Sequence, residues 1–488
     1  MNAGLASLVS SITGLTGLDN LEPVAAAAAA AAASSISSVS PVPAISSISS
    51  ASSLQTATPT VLSVTTATAT ATATAPSSLD VNDTTSILGV AKALAQGAMS
   101  YYPGTSESYA ALPTPYYWWE CGALMGAMLD YSHYTNDTTY DALLTTALAA
   151  QVVAPANDLM VPADYGSEGN DDQAFWTFSV LSAAERNFPQ AADPAVPPWL
   201  AVAENAWNAI AARWNTSACG GGLLWQIFAD NSNGLNYRNS VSNGGLFQIS
   251  ARLYRATGNA TYLAWAEKVW DWSRAVEFVD AAYYVYDGAD SRDNCSVAKR
   301  DNVTFSYSAG IYLYGAAVLA NATATATATD NSFDASATWT ARTQGLLAAA
   351  AASFFSPYDN ATNIMYEHAC EPYEVCDTDM KSFKGYLSRF LAASAVMVPA
   401  IEDTVAEYLG ASAVAAGKAC VDGADAGNGT TVECGEKWYT GAYDGNTGLG
   451  QDMSALETVQ GLLAGRARAP LRAGEIQDVR MANSSSSS

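Results

Sequence analysis

From Leu79 onward, apolar residues recur at i, i+3, i+4 and i+7, and Gly, Pro and Asn or Asp interrupt them at intervals. That spacing gathers apolar side chains on one helical face. It predicts helices near 85–100, 117–134, 139–150, 171–187, 199–214, 240–256, 260–276, 305–320, 337–354, 381–397, 400–416 and 451–464. Asp83 and Thr84 precede the first, and Asn259 precedes the helix of the 260s. Their short side-chain oxygens suit the free N–H groups of a first turn. Strand signals are few. Gly220-Gly-Gly-Leu-Leu-Trp225-Gln-Ile-Phe and Ala282-Tyr-Tyr-Val-Tyr-Asp287-Gly read as short hairpin segments. About a dozen helices with short connections predict an all-α toroid of paired helices.

The pattern fails at both ends. Residues 1–78 hold an alanine run from Ala25 to Ala33, Ser/Val/Pro-rich sequence, and an Ala-Thr repeat ending near Ala75-Pro76. With almost no charge and no aromatic residue, this segment has little with which to build a core. It reads as an O-glycosylated stalk or an atypical signal, since no positive charge precedes its apolar run. Residues 79–464 form the expected globular domain. The tail 465–488 carries Arg466, Arg468 and Arg472 and then a serine run, and is expected to be disordered. A second Ala-Thr run, 321–334, is expected as a surface insertion.

Composition narrows the function. A net charge of -25 opposes nucleic acid and anionic membrane surfaces, which attract clustered Lys and Arg. No stretch reaches the roughly 18 uninterrupted apolar residues of a spanning helix. The 12 Trp and 25 Tyr supply flat apolar faces with a polar edge, which suit sugar rings. His133 and His368 are the two histidines, and neither sits in a metal or triad motif. His133 is expected to be structural. Among 7 cysteines, Cys370/Cys376 and Cys420/Cys434 bracket short loops and read as disulfides. Cys219/Cys295 is a weaker long-range pair, and Cys121 is expected as a buried free thiol. Asn-x-Ser/Thr sequons at Asn82, Asn136, Asn215, Asn259, Asn294, Asn302, Asn321, Asn360, Asn428 and Asn483 add to a secretory reading.

The candidate chemistry sits in Tyr165-Gly-Ser-Glu-Gly-Asn170-Asp171-Asp172-Gln173-Ala-Phe175-Trp176, where two carboxylates open a helical pattern. Neighbours on a helix point about 100° apart, yet at a first turn beside a loop both can reach one cleft. One can attack an oxocarbenium-like centre while the other passes a proton to or from the leaving oxygen. A plain helix cap is the competing reading of Asn-Asp-Asp. Trp118 and Trp119, in Pro115-Tyr-Tyr-Trp-Trp-Glu120, are candidate sugar platforms, with about half of that aromatic run expected in the core. The candidate substrate contacts are Trp118, Trp119, Asn170, Gln173, Trp176, Asp287 and Tyr307.

These residues together resemble glycoside hydrolase family 76, in its fungal cell-wall branch, over about residues 79–464. The marks are Tyr117-Trp-Trp-Glu120, Glu168-Gly-Asn-Asp-Asp-Gln-Ala-Phe-Trp176, Cys219-Gly-Gly-Gly-Leu-Leu-Trp225-Gln-Ile and Asn239-Ser-Val-Ser-Asn243-Gly. Tyr307-Ser-Ala-Gly310-Ile-Tyr-Leu-Tyr314-Gly, Lys381-Ser-Phe-Lys384-Gly-Tyr-Leu-Ser-Arg389 and Gly448-Leu-Gly-Gln-Asp452-Met-Ser-Ala-Leu-Glu457 complete them. The resemblance implies an (α/α)6 toroid and retaining cleavage of α-1,6-linked mannose, with Asp171 as nucleophile and Asp172 as acid/base. It implies a mannan or GPI-glycan substrate, a wall β-glucan as candidate acceptor, and neither metal nor cofactor. Ser308 departs from the family's Asn, Phe305 and Phe390 from its Trp, and Cys121 from a small residue. The setting implied is the secretory route, the cell wall or the outer face of the plasma membrane. The C-terminus ends in serines without the hydrophobic stretch of a GPI signal. The alternative classes are a mannan-binding protein without catalysis and a structural wall mannoprotein.

Overall fold

The even-numbered helices of this protein close a ring, and the odd-numbered ones wrap it. Chain order gives α1 (Thr84–Ser100), α2 (Trp118–Thr135), α3 (Asp141–Ala150), α4 (Asn170–Glu185), α5 (Trp199–Ala212) and α6 (Ser240–Thr257). Then come α7 (Ala260–Ala275), α8 (Ser306–Ala324), α9 (Asp330–Phe354), α10 (Phe383–Met397), α11 (Glu402–Lys418) and α12 (Leu449–Gly461). In this computed structural model the described residues are 75–480, apart from 106–108, 110, 163–167, 230, 232–233, 325–329, 356–360 and 423–431. The expected stalk up to residue 74, Tyr165 and the sequons at Asn360, Asn428 and Asn483 lie outside them.

Helix α2 packs on α4, α4 on α6, α6 on α8, α8 on α10, α10 on α12 and α12 again on α2. Outside, α1 lies on α12, α3 on α2, α5 on α4, α7 on α6, α9 on α8, and α11 on α10 and α12. This is the (α/α)6 toroid. Burial follows position. Every residue of α12 and the whole of α8 from Ser306 to Ala320 is buried, while α5 buries one stripe, including Trp199, Val202, Ala206 and Ile210. A helix buried all round needs small residues where neighbours approach. A Cβ at Gly122 in α2 would fall 2.8 Å from the Trp176 ring of α4. We therefore expect Gly122→Ala to lower stability by about 1–3 kcal/mol through overpacking, read as a lower denaturant midpoint with unchanged slope.

Residues of like depth meet around the ring: Trp119 with Phe175, Asp171 with Asn239, Tyr307 with Phe383, Gly385 with Ser454, Phe178 with Phe390, and Glu185 with Arg252. The six inner helices therefore run parallel, with their N-termini at one end. Towards the other end, Arg186 pairs with Asp130, Arg252 with Glu185 and Arg389 with Glu457, each between neighbouring inner helices. His133 is structural there, its Nε2 lying 2.7 Å from the Arg468 carbonyl. Burial and then the Arg186 charge lower its pKa to about 4.

Strands β1 (Tyr237–Asn239), β2 (Tyr286–Asp290) and β3 (Asp301–Thr304) form one antiparallel sheet, with Asn239 opposite Gly288. β4 (Cys420–Asp422) and β5 (Val432–Cys434) form another. Disulfides join Cys219–Cys295, Cys370–Cys376 and Cys420–Cys434, and Cys121 is a buried free thiol. Asp83 caps Thr85 N–H and Asn259 caps Thr261 N–H, as their positions predict. No helix among the described residues is long and apolar enough to cross a membrane.

Three expectations change. Residues 220–228 form turns, because Gly220, Gly221 and Gly222 hold φ of 66°, 148° and 101°. The hairpin expected there is instead the pairing of β1 with β2. The 321–334 insertion is partly helical, since α8 runs to Ala324 and α9 starts at Asp330. The tail expected to be disordered from 465 docks under the ring as far as residue 480. Leu471 N–H donates to Glu185 O at 2.7 Å, Ala473 N–H to Arg255 O at 3.1 Å, and Gln190 N–H to Val479 O at 2.6 Å. Free carbonyls at the C-termini of α4 and α6 take two of these bonds, and Arg255 and Arg480 add side-chain donors to the Leu471 and Ala191 carbonyls.

Candidate active site

Gly169 opens α4 at the N-terminal end of the ring, and Asp171 and Asp172 follow within its first turn. They are only 2% and 6% exposed. Asp171 is held at both oxygens: Asn239 Nδ2 donates to Oδ2 at 3.0 Å, and Asp172 N–H donates to Oδ1 at 3.1 Å. Asp172 accepts at Oδ2 from Gly169 N–H at 2.6 Å, the one half of a capping box that a glycine without a side chain allows. The capping reading of this sequence is thus true of one oxygen of Asp172. Asn239 reaches the pair because β1 ends where α6 begins, and its Oδ1 also caps Ser242 N–H. Its signal in the sequence is its N-cap pattern, Asn239-Ser-Val-Ser, which marks a helix start and not a partner of Asp171.

Phe175, one turn below both acids, is the hub of an aromatic floor. It packs against Trp119 at 4.7 Å, Tyr386 at 4.9 Å and Tyr307 at 6.5 Å between ring centroids. Tyr307 stacks in turn on Phe383 at 3.8 Å. Trp118 is half-buried and donates to Gln151 Oε1 at 2.8 Å, whereas Trp119 is core. Trp176 is fully buried and donates to the Trp118 carbonyl at 3.1 Å, so it supports the rim from beneath. Asn170 and Gln173 have both ends of their amides engaged by protein. Asn170 donates to Leu224 O at 2.9 Å and Gln173 to Asp158 O at 2.7 Å, and Arg213 donates to both amide oxygens. Their observed part is to fix the start of α4. Asp287, half-buried in β2, accepts from Tyr237 OH at 2.7 Å. Phe305 packs on Tyr307 and Phe383, Phe390 on Phe178 and Tyr314, and Ser308 is buried in α8.

The electrostatics of this end favour protons on acids. Burial, and then the charge of Asp172, pushes the Asp171 carboxyl well up; burial also raises Asp172. The two buried carboxyls repel when both are charged, so ionising one opposes ionising the other. The Asn239 amide and the Asp172 N–H favour the charge on Asp171. Burial, then Asp301, pushes Asp287 up to about 7. Asp379, which the sequence reading did not single out, is pushed up to about 7 by burial and then by Asp377 and Asp172. Six parallel helix dipoles, each with roughly half a positive charge at its N-terminus, partly offset this acid density. A cavity lined by Asp130, Arg186, Arg252 and Arg389 lies at the opposite end of the ring, away from this chemistry.

The family model described as glycosyl hydrolase family 76 matches residues 86–474. Mannan endo-1,6-alpha-mannosidase DCW1 of Candida albicans is 40% identical over 405 residues, covering 81% of this chain and 84% of that protein. Mannan endo-1,6-alpha-mannosidase DFG5 of Saccharomyces cerevisiae is 40% identical over 404 residues, covering 81% of each. The crystal structure of Dfg5 from Chaetomium thermophilum in complex with glucosamine superposes with a TM-score of 0.71 at 34% identity, over 81% of this chain and 94% of that one. The α-1,6-mannanase of Salegentibacter sp. shares the fold, with a TM-score of 0.57 at 18% identity over 77% and 98% of the two chains.

Proposed function

This chain belongs to glycosyl hydrolase family 76, and from that premise we propose that it is a retaining mannan endo-1,6-alpha-mannosidase of the fungal cell wall. Asp171 attacks the anomeric carbon of an α-1,6-linked mannose while Asp172 protonates the departing oxygen. Asp172 then takes a proton from the incoming hydroxyl, which displaces the sugar from Asp171. The carrying observation is the unequal holding of the two acids. Burial and the charge of Asp172 push Asp171 up the further of the two, and its two N–H donors act against that push: they stabilise its charged, attacking form, while Asp172 receives one N–H and keeps an oxygen for a proton.

The near-complete burial of the pair favours transfer over hydrolysis, because a sugar hydroxyl that fills the site excludes water. On this reading the donor is mannan or a GPI-type glycan with α-1,6-mannose, and the acceptor is a wall β-glucan hydroxyl. Three disulfides fit an oxidising compartment and hence the secretory route, with the wall or the outer face of the plasma membrane as the place of action. The catalytic domain starts near 79 behind the Ala/Ser/Thr/Pro-rich segment, and includes the docked tail. Product analysis with and without β-glucan oligomers tests the acceptor. Transfer products should rise with oligomer concentration at the expense of new mannose reducing ends; unchanged reducing ends would leave hydrolysis alone.

Asp172→Asn checks the division of labour. We expect a loss of about 10²–10⁴-fold on α-1,6-mannooligosaccharides and a much smaller loss on aryl mannosides whose leaving group needs no proton. Equal losses on both would remove Asp172 from the acid role.

A further inference from the structure

The first turn of α4, Asn170 to Gln173, carries Asp171 and Asp172. It is also the least self-supporting part of that helix, because the N–H groups of a first turn have no partner one turn back. Its place is set from outside. Asn170 N–H donates to Trp225 O at 2.9 Å and Asn170 Nδ2 to Leu224 O at 2.9 Å, while Gln173 Nε2 donates to Asp158 O at 2.7 Å. Both amide oxygens turn to a single group. Arg213 Nε donates to Asn170 Oδ1 at 2.7 Å, and Arg213 Nη2 donates to Gln173 Oε1. Asn170 and Gln173 are three residues apart and share a helix face, and the two acids stand between them in the chain.

Arg213 is itself anchored. It directly follows α5, and its N–H donates to Ile210 O at 3.1 Å. The next residue, Trp214, meets Trp265 and Trp272 of α7 edge-on, at 5.8 and 5.5 Å between ring centroids. The guanidinium therefore joins the start of α4 to a fixed point on two outer helices.

We propose that Arg213 is a positioning residue for this reaction: one guanidinium, bonded to residues i and i+3, fixes the rotation of the first turn about the helix axis and so the directions in which Asp171 and Asp172 point. The proposal rests on the assignment of that pair as nucleophile and acid/base and adds what aims it.

Successive residues of a helix are about 100° apart, so any rotation of the first turn swings both carboxyls together. A rigid planar fork bonded at two points allows one setting. Lysine offers a point charge on a flexible stem and cannot reproduce it. Without the fork, each amide keeps only the bond from its NH₂ and can pivot about it. Cleavage needs the nucleophile in line with the anomeric carbon and the acid at the departing oxygen at the same time. A displacement of about 1 Å is enough to cost about 10²-fold.

Arg213→Met keeps the stem and removes both bonds. We expect kcat on α-1,6-mannooligosaccharides to fall by about 10–100-fold. KM should change less than about twofold, because Trp119, Tyr307 and Tyr386 of the floor stand on α2, α8 and α10. Rates are read well below the unfolding midpoint, where a purely structural loss leaves kcat unchanged. Arg213→Lys, which serves one amide oxygen at a time, should lose more than about twofold and less than the methionine variant; it keeps the test open where that variant does not fold. In a Gln173→Met background, Arg213→Met should cost at least about threefold less than in the wild type, because one of the two oxygens it acts through is gone. A folded Arg213 variant with kcat within about twofold of wild type overturns the proposal, and so does an equal loss from Arg213→Met in both backgrounds. Asp171→Asn separates this from failure of the underlying reading. If Asp171→Asn still turns over mannooligosaccharides, the assignment of the pair fails; if it is inactive while the Arg213 variants keep wild-type kcat, only the role of Arg213 falls.

Discussion

Asp171→Asn will abolish turnover of α-1,6-linked mannose while leaving the fold intact. The side chain sits at the second position of α4 with both oxygens engaged, by Asn239 Nδ2 and by Asp172 N–H. An amide of the same size keeps one of those acceptors and turns the other into an NH₂ facing a donor. The structural cost is therefore about one hydrogen bond, roughly 1 kcal/mol, offset by removal of a buried charge. The chemical cost is of another order. A neutral amide cannot form the glycosyl ester. We expect kcat to fall by about 10⁴-fold or more, roughly 5 kcal/mol of transition-state stabilisation. Steady-state rates on mannooligosaccharides, with far-UV circular dichroism and an unfolding midpoint as controls, measure both. A folded variant with more than about a tenth of wild-type kcat would remove Asp171 from the nucleophile role.

The acid pair was legible because its members are adjacent, but the orientation of its neighbours was not. Asn170 and Gln173 share a helix face with candidate substrate contacts, yet that face looks at Arg213, Leu224 and Asp158. In a helix buried on all sides, apolar spacing cannot say which side faces the cleft. Asp379 stayed hidden for a different reason. Its local sequence, Cys376-Asp-Thr-Asp-Met380, reads as a turn, and only the closing of the ring brings it to Trp119. The helix count survived because outer helices such as α5 keep a single apolar stripe and because Asp83 and Asn259 mark true starts. The docked tail had no such marks. Its order comes from backbone pairing with the ends of α4 and α6 and from single arginines, Arg255 to the Leu471 carbonyl and Arg480 to those of Ala191 and Asp193, none of which apolar spacing encodes.

Arg389→Met is the substitution away from the reaction with the largest expected effect on the fold. Arg389 lies in α10, where its Nε donates to Glu457 Oε1 at 2.7 Å and its Nη2 donates to the Ala123 carbonyl at 2.8 Å. The Nε is also 3.5 Å from Asp130 Oδ2. One guanidinium thus ties three inner helices together below the aromatic floor. Removing it strands Glu457 among buried groups with Gln460 as a remaining donor, at 3.1 Å. Breaking one side of a buried pair costs about 3–5 kcal/mol. That should lower the thermal midpoint by about 5 °C or more. The loss should depend on pH with a definite sign. Burial raises Glu457 to about 7, and Arg389 is what holds it down. Without Arg389 its folded pKa climbs further above the unfolded value, so the folded state keeps a proton that the unfolded chain releases. The variant's stability is then greatest below about pH 4.5, the unfolded value, and falls as pH rises towards the folded one. Unfolding curves at pH 5 and pH 8 should therefore show a small deficit against wild type at the first and a large one at the second. Adding Glu457→Leu to Arg389→Met should recover part of the loss at pH 8, because an apolar pair leaves no stranded charge. A deficit independent of pH, with no recovery in the double variant, would mean that Arg389 acts through packing and its bond to Ala123 and that the ion pair between neighbouring inner helices adds nothing.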